Sequence, residues 1–306
     1  MGKIAFVFPG QGAQAVGMGQ GLHDRYTTAK EVYDLCGDDV KRLSFEGPQD
    51  DLNLTVSAQP CLFAADLAAA FSLNERGVFA HAAAGFSLGE IPAAAYCGLM
   101  AVGEAFRLVQ FRANVMRECT QKHKGGMMAV LGLSEARVID ICDGLEDIYP
   151  VNFNAPGQIV AAFRQGAQDA LKAAVAEAKG KVIPLAVSGG FHSPLMDEAA
   201  MQMARYMESV TINALKIPLY ANATGQLYDT ATAEDSRKLL SMQINMPVRW
   251  RETIEQMIAD GCDTFIETGP GKALTGMIKK IDKHVQTYNV FDEESVEAVS
   301  KELANV

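Results

Sequence analysis

The segment AAAGFSLGEIPAA (82–94) sets Ser87 between Gly85 and Gly89. Between a strand and a helix, G-x-S-x-G makes a nucleophile elbow: the tight turn strains the serine backbone and the glycines let neighbouring segments approach. The same residue types also cap helices, so a plain N-cap is the alternative for Ser87. A serine hydroxyl attacks poorly until a base takes its proton. The chain offers five histidines, at 23, 81, 123, 192 and 284. His81 lies on the strand that delivers Ser87, six residues earlier, and at ~3.3 Å per residue stands roughly 20 Å away. His123 in QKHKGG and His284 in KKIDKHVQ sit in charged stretches, and His23 in QGLHDRY reads as a surface helix residue. That leaves His192, in the glycine-rich loop SGGFHSPLMDE that opens a helix; its alternative is a loop residue that caps that helix. No carboxylate near it is placed to orient an imidazole, because Asp197 falls on the following helix and is expected to face away. A backbone carbonyl would serve, since Nδ1–H needs only an acceptor.

A tetrahedral intermediate needs two aimed N–H groups, one of them from the residue after the nucleophile. Leu88 supplies that one, and the loop FPGQGAQ (8–14), with Gln11 between two glycines, is the natural source of the other. Extended to GQGAQA, the loop also fits a dinucleotide-binding G-x-G-x-x-A, but no acidic residue ends a following strand. In 102–117, Val102, Ala105, Phe106, Val109, Ala113 and Met116 form an apolar helical stripe. At ~100° per residue Arg107 and Arg117 fall off it, whereas Arg112 lies within roughly 40° of its centre. An inward guanidinium needs an anion. A buried Asp or Glu would make Arg112 structural; a substrate carboxylate held bidentately would make it a receptor.

These residues need a scaffold. KIAFVF (3–8) and VFAHAAAGFS (78–87) read as buried parallel strands that run into glycine-rich turns, with helical stretches near 28–43, 57–75 and 102–120. Between 125 and 189 the order is βαββαβ: MMAVLGL, a helix capped by Ser134, IYPVNFN and GQIVAAF joined at 155–157, a helix AQDALKAAVAEAKG, and KVIPLAVS. That order is the ferredoxin-like split βαβ unit. After it come helices at 195–209, 233–243, 247–260 and from 271, with strands PLYAN and DTFIETG. The expected fold class is α/β: a hydrolase-like parallel-sheet body (1–124 and 190–306) carrying an inserted ferredoxin-like subdomain (125–189).

With 306 residues, 49% hydrophobic, a sizeable core is affordable in sequence terms. Six scattered cysteines without a C-x-x-C pair suit a reducing, cytoplasmic setting and argue against a zinc site. No apolar run is expected to reach the ~20 residues of a membrane helix. A net charge of −10 works against nucleic acid and anionic membranes, so an acidic partner must meet a local basic patch.

Taken together, FPGQGAQ, GFSLGE, Arg112 in QFRANVM, FNAPGQIV, GGFHSPLM, QINMPVRW and IETGPGKALTG, spread over residues 3 to about 282, resemble the malonyl-CoA:acyl carrier protein transacylases of fatty acid synthesis. They are also similar to the acyltransferase domains of polyketide synthases. The resemblance implies that Ser87 attacks the malonyl thioester of coenzyme A and that His192 relays the proton. It implies that the Gln11 and Leu88 N–H groups hold the oxyanion, and that Arg112 clamps the malonyl carboxylate. By the same carry-over the Gln243 carbonyl orients His192 and Asn154 lies near the substrate. The acceptor is then the phosphopantetheine thiol of acyl carrier protein, with no cofactor beyond the coenzyme A thioester substrate, and a monomer is expected. Carrier proteins of the family are acidic, which makes Lys179, Lys181, Arg249, Arg251, Lys272 and Lys279 candidate contacts. The chain departs from the family at Phe86, where most members have histidine, and at Gly190 in GGFH, where alanine is usual in malonyl-selective members. A thioesterase or carboxylesterase using Ser87, and a dinucleotide-binding module using GQGAQA, are the competing readings.

Overall fold

The computed structural model describes residues 2–228 and 232–304; Met1 and 305–306, the ends of the body drawn from sequence, lie outside the described residues. Five parallel strands, β1 (Lys3–Phe8), β2 (Ala82–Gly85), β7 (Leu219–Tyr220), β8 (Cys262–Thr268) and β9 (Gln286–Val290), form one sheet in the order β7-β2-β1-β8-β9. Parallel pairing needs both faces covered, and β1 and β2 are almost wholly buried. β2 is AAAG, and its small side chains leave room for the layers packed on either face. All five strands run the same way, so the turns after β1, β2 and β7 open at one edge. That edge is where open α/β sheets place their sites.

The second sheet is antiparallel, β4-β5-β3-β6, built from β3 (Gly125–Leu131), β4 (Ile148–Ala155), β5 (Gln158–Arg164) and β6 (Lys181–Pro184). Side chains alternate between faces along a strand. Met128 and Val130 pack with Val138, Ile141 and Leu171 of the subdomain helices Glu135–Asp143 and Gln168–Glu177, whereas Met127 and Ala129 face the cavity beside Ser87. Asn152 and Asn154, two residues apart on β4, face that cavity too. The subdomain is tied to the body by Phe153 N–H to the Val248 carbonyl (2.9 Å) and Val248 N–H to the Val151 carbonyl (2.8 Å).

Several elements differ from the sequence expectation. The helix expected over 28–43 is two helices, Thr27–Cys36 and Asp38–Glu46, broken where Gly37 takes φ 94°. The strand expected over KVIPLAVS stops at Pro184, whose ring removes a ladder donor. The helix Thr55–Glu75 is, at 21 residues, long and apolar enough to cross a bilayer, contrary to expectation; most of it is buried in the protein core. After GQGAQA the chain does not enter a helix until Gln20, and that helix has six residues, so the dinucleotide-binding geometry of strand, glycine turn and long helix is not formed.

Candidate active site

The elbow glycines are required by contact. A Cβ on Gly85 would lie 1.9 Å from the Gly89 backbone, and one on Gly89 would lie 2.0 Å from the Phe8 carbonyl oxygen. The turn packed between them forces Ser87 to φ 52°, a left-handed conformation rare for a residue with a side chain. His192, φ 61°, is strained in the same way on the loop after β6. The two meet: His192 Nε2 is 2.7 Å from Ser87 Oγ, and His192 Nδ1 is 2.9 Å from the Gln243 carbonyl oxygen. With Nδ1–H donating to that carbonyl, Nε2 is the free acceptor facing the hydroxyl. Burial, reinforced by the Arg112 cation, holds the His192 pKa down at about 4, so the ring is neutral at neutral pH and its Nε2 is free to accept a proton.

Arg112 projects from the helix Val102–Lys122 into the same space and is 1% exposed. Its Nη1 donates to Gln59 Oε1 (2.8 Å), and its Nη2 donates to Gln243 Oε1 (3.1 Å) and Ser87 Oγ (3.3 Å). Among the described residues no carboxylate lies within ion-pair distance of it. Burial lowers its pKa to about 10, opposed by the charge of Glu90, and it remains a cation at neutral pH. The buried Asp or Glu that would make Arg112 structural is therefore not at contact distance.

A cavity of about 240 Å³ opens onto Ser87, Arg112 and His192. Asn152 and Asn154 line it, each 4% exposed and each with an Oδ1 that has no hydrogen-bond partner among the described residues. Gln11 lines it from the loop after β1, with Nε2 donating to Thr55 Oγ1 at 3.2 Å. That loop presses on the elbow, where a Cβ on Gly10 would lie 2.5 Å from the Phe86 carbonyl oxygen. Leu88 is fully buried in the short 3₁₀ turn Ser87–Gly89. Phe86 packs edge-on against Trp250, ring centroids 5.5 Å apart, where a histidine would have offered a proton. At Gly190 the space of an alanine methyl is taken by Leu195, whose Cδ1 lies 2.6 Å from the position of a Cβ.

All seven residues singled out from the sequence, Gln11, Ser87, Leu88, Arg112, Asn154, His192 and Gln243, thus lie in one place. The other histidines do not. His81 accepts the Ile4 N–H at 3.0 Å and His123 pairs with Glu198 at 3.0 Å. His23 is half-buried against Tyr33 and Phe45 rather than on the surface. Asp197 is exposed and accepts from Asn245, away from His192. Sequence reasoning missed Gln59, Glu90, Asn152 and Asn222. Gln59 carried a signal, a polar residue in a mostly apolar helix; Asn222, in a loop after a two-residue strand, carried none.

A serine, an imidazole oriented by a carbonyl and an arginine with no carboxylate at contact distance fit acyl transfer of an acid-bearing group. Comparison with known proteins agrees: residues 5–303 match the acyl transferase domain model. The chain belongs to the acyl transferase family. This acyltransferase is 35% identical to the malonyl CoA-acyl carrier protein transacylase of Bacillus subtilis over 312 residues, 99% of this chain and 98% of that one. It superposes with TM-score 0.94 on the malonyl CoA-acyl carrier protein transacylase of Clostridium perfringens, at 35% identity, covering 99% and 98% of the two chains. A malonyl-transacylase solved in complex with its holo type II PKS acyl-carrier protein is similar at TM-score 0.93 and 32% identity, covering 98% and 99%.

Proposed function

We propose that this acyltransferase moves the malonyl group of malonyl-CoA to the phosphopantetheine thiol of acyl carrier protein through a malonyl-Ser87 intermediate, in service of fatty acid synthesis. The observation that carries the reading is Arg112, a buried cation without a carboxylate at contact distance, 3.3 Å from the hydroxyl that would carry the acyl group. His192 Nε2 takes the Ser87 proton as Oγ attacks the thioester carbonyl. The Gln11 and Leu88 N–H groups hold the oxyanion, and His192 returns the proton to the departing coenzyme A thiol. The phosphopantetheine thiol then gives its proton to His192, attacks the seryl ester, and regenerates Ser87 as the proton passes back. Each step uses a side chain or backbone amide of this chain, so the reading calls for no cofactor. A second cavity of about 1050 Å³ shares Gln11 and Val187 with the first and has Arg117 and Lys124 in its wall; it would take the coenzyme A arm with its phosphates against these cations. The six free, buried cysteines are in keeping with a cytoplasmic setting.

Among the basic residues considered for the carrier, Arg249 is paired with Glu252, and Arg251 with Glu255 and Glu135. Lys272 stands at the N-cap of the helix Ala273–Ile281 and Lys279 and Lys280 in its last turn; Met277 of that helix lines the catalytic cavity, and Lys280 Nζ donates to Gln158 Oε1 (2.9 Å) at its rim. We place the acidic carrier there. Incubation with malonyl-CoA, with and without the holo carrier, tests transfer: malonyl-carrier forms only when the carrier is present. Free malonate accumulating without the carrier would instead show a thioesterase.

A further inference from the structure

Two side-chain amides grip the backbone on either side of Ser87. Asn222, fully buried just past β7, accepts the Ser87 N–H through Oδ1 at 2.7 Å and donates through Nδ2 to the Gly85 carbonyl. Asn222 is itself anchored, its own N–H donating to Glu90 Oε1 (3.3 Å), which also accepts from the Tyr228 hydroxyl (2.5 Å). On the other side the Gln243 side chain, 3% exposed, donates through Nε2 to the Ser87 carbonyl and accepts through Oε1 from Arg112 Nη2 at 3.1 Å. In a trans peptide the carbonyl of one residue and the N–H of the next share a plane and point in opposite directions. Holding the Ser87 carbonyl therefore fixes where the Leu88 N–H points. A hydrogen bond accepted by that carbonyl also polarises the peptide, which makes its N–H a stronger donor in a low-dielectric site.

We propose that the Gln243 side chain is a positioning residue that aims the Leu88 N–H at the oxyanion and ties that peptide to Arg112, while Asn222 holds the peptide before it. This role is separate from that of the Gln243 backbone carbonyl, which faces His192 and survives any substitution. The inference rests on the reading of Ser87 as the malonyl-accepting nucleophile. One glutamine thereby couples the group that receives the substrate carboxylate to the group that meets the developing negative charge.

The test is single-turnover malonylation followed by intact mass, on the native chain, Gln243→Leu, Gln243→Met, Arg112→Ala and the double variant Arg112→Ala/Gln243→Leu. Removing an oxyanion donor outright costs about 10²–10³ in rate; mis-aiming one is expected to lower the malonylation rate constant by at least about 30-fold, with every molecule still reacting in the end. Both Gln243 variants should behave alike, and the double variant should run at least about 10-fold below Arg112→Ala. A double variant equal to Arg112→Ala would show that Gln243 acts through Arg112 alone, and would overturn the proposal. An unchanged rate constant on a smaller reactive fraction would reduce Gln243 to a folding role and overturn it as well. A native chain that takes no malonyl group would sink the underlying reading and this inference together, a result distinct from a native rate that the Gln243 variants leave intact.

Discussion

Removing the Arg112 guanidinium would leave a malonyl carboxylate without a charge partner in a buried cavity. Charge-assisted hydrogen bonds of ~1.5 to 3 kcal/mol apiece would be lost, so Arg112→Ala is expected to lower kcat/KM for malonyl-CoA roughly ten- to more than a hundred-fold. Acetyl-CoA, with no carboxylate, should suffer much less, and equal losses would make Arg112 structural. The base sets the pH dependence. His192 is neutral down to about pH 4, so the malonylation rate should stay level from pH 8 to pH 5; a fall centred near 6.5 would show that burial does not depress it. Glu90 has the opposite sign in stability. Burial raises its pKa from 4.5 to about 7, against the pull of Tyr228 and other hydrogen bonds. The folded protein therefore keeps a proton that the unfolded chain loses, and Glu90 stabilises below pH 4.5 and loses that contribution as pH rises through about 7. Thermal melts of Glu90→Gln should show less decline in Tm between pH 5 and 7 than the native chain. The meeting of Ser87, His192 and Arg112 was legible because the chain has few histidines and a misplaced arginine stands out on an apolar stripe. Asn222 and Glu90 were not, because what they hold is backbone, the Ser87 N–H by Asn222 and the Asn222 N–H by Glu90, and neither contact has a signature in residue type.

The elbow is an element only because two glycines let a strand, a turn and a helix share one volume. Gly85→Ala and Gly89→Ala each drive a methyl into backbone, 1.9 Å and 2.0 Å from its nearest neighbour. Overpacking of this kind costs about 1–3 kcal/mol or more, so Tm should fall by on the order of 5 °C or more and malonylation should largely be lost. A substitution at Gly12, where a Cβ meets nothing within 4 Å but φ is 109°, would strain only its own backbone and separates conformation from contact. The helix Val102–Lys122 was readable from its periodicity, and β1 from a short apolar run stopped by Pro9 and Gly10. The tail was not: β9, QTYNV, is half-exposed at the sheet edge with little apolar alternation. PLYAN reads as a strand, though only Leu219–Tyr220 of it pairs. The break at Gly37 was hidden because both flanking helices bury the same face.

At the scale of the molecule, a chain of net charge −10 exposes Lys272, Lys279 and Lys280 on and beside the helix Ala273–Ile281, whose Met277 lines the catalytic cavity. Reversing Lys279 and Lys280 to glutamate should slow transfer to the carrier at low salt, with the difference shrinking as salt rises, and leave malonylation of the enzyme unaffected. The βαββαβ order was readable because each subdomain element is short and separated by turn residues. What sequence could not supply was how that sheet meets the body: Val151 and Phe153 bond to Val248, and Met127, Ala129 and Asn154 line the cavity beside Ser87. The most direct measurement is the intact mass of the protein after mixing with malonyl-CoA, beside a Ser87→Ala control. A malonyl-sized increment on the native chain and none on the variant is the expected result. No increment on the native chain, with coenzyme A unreleased, or an equal increment on Ser87→Ala, would contradict the malonyl-seryl mechanism.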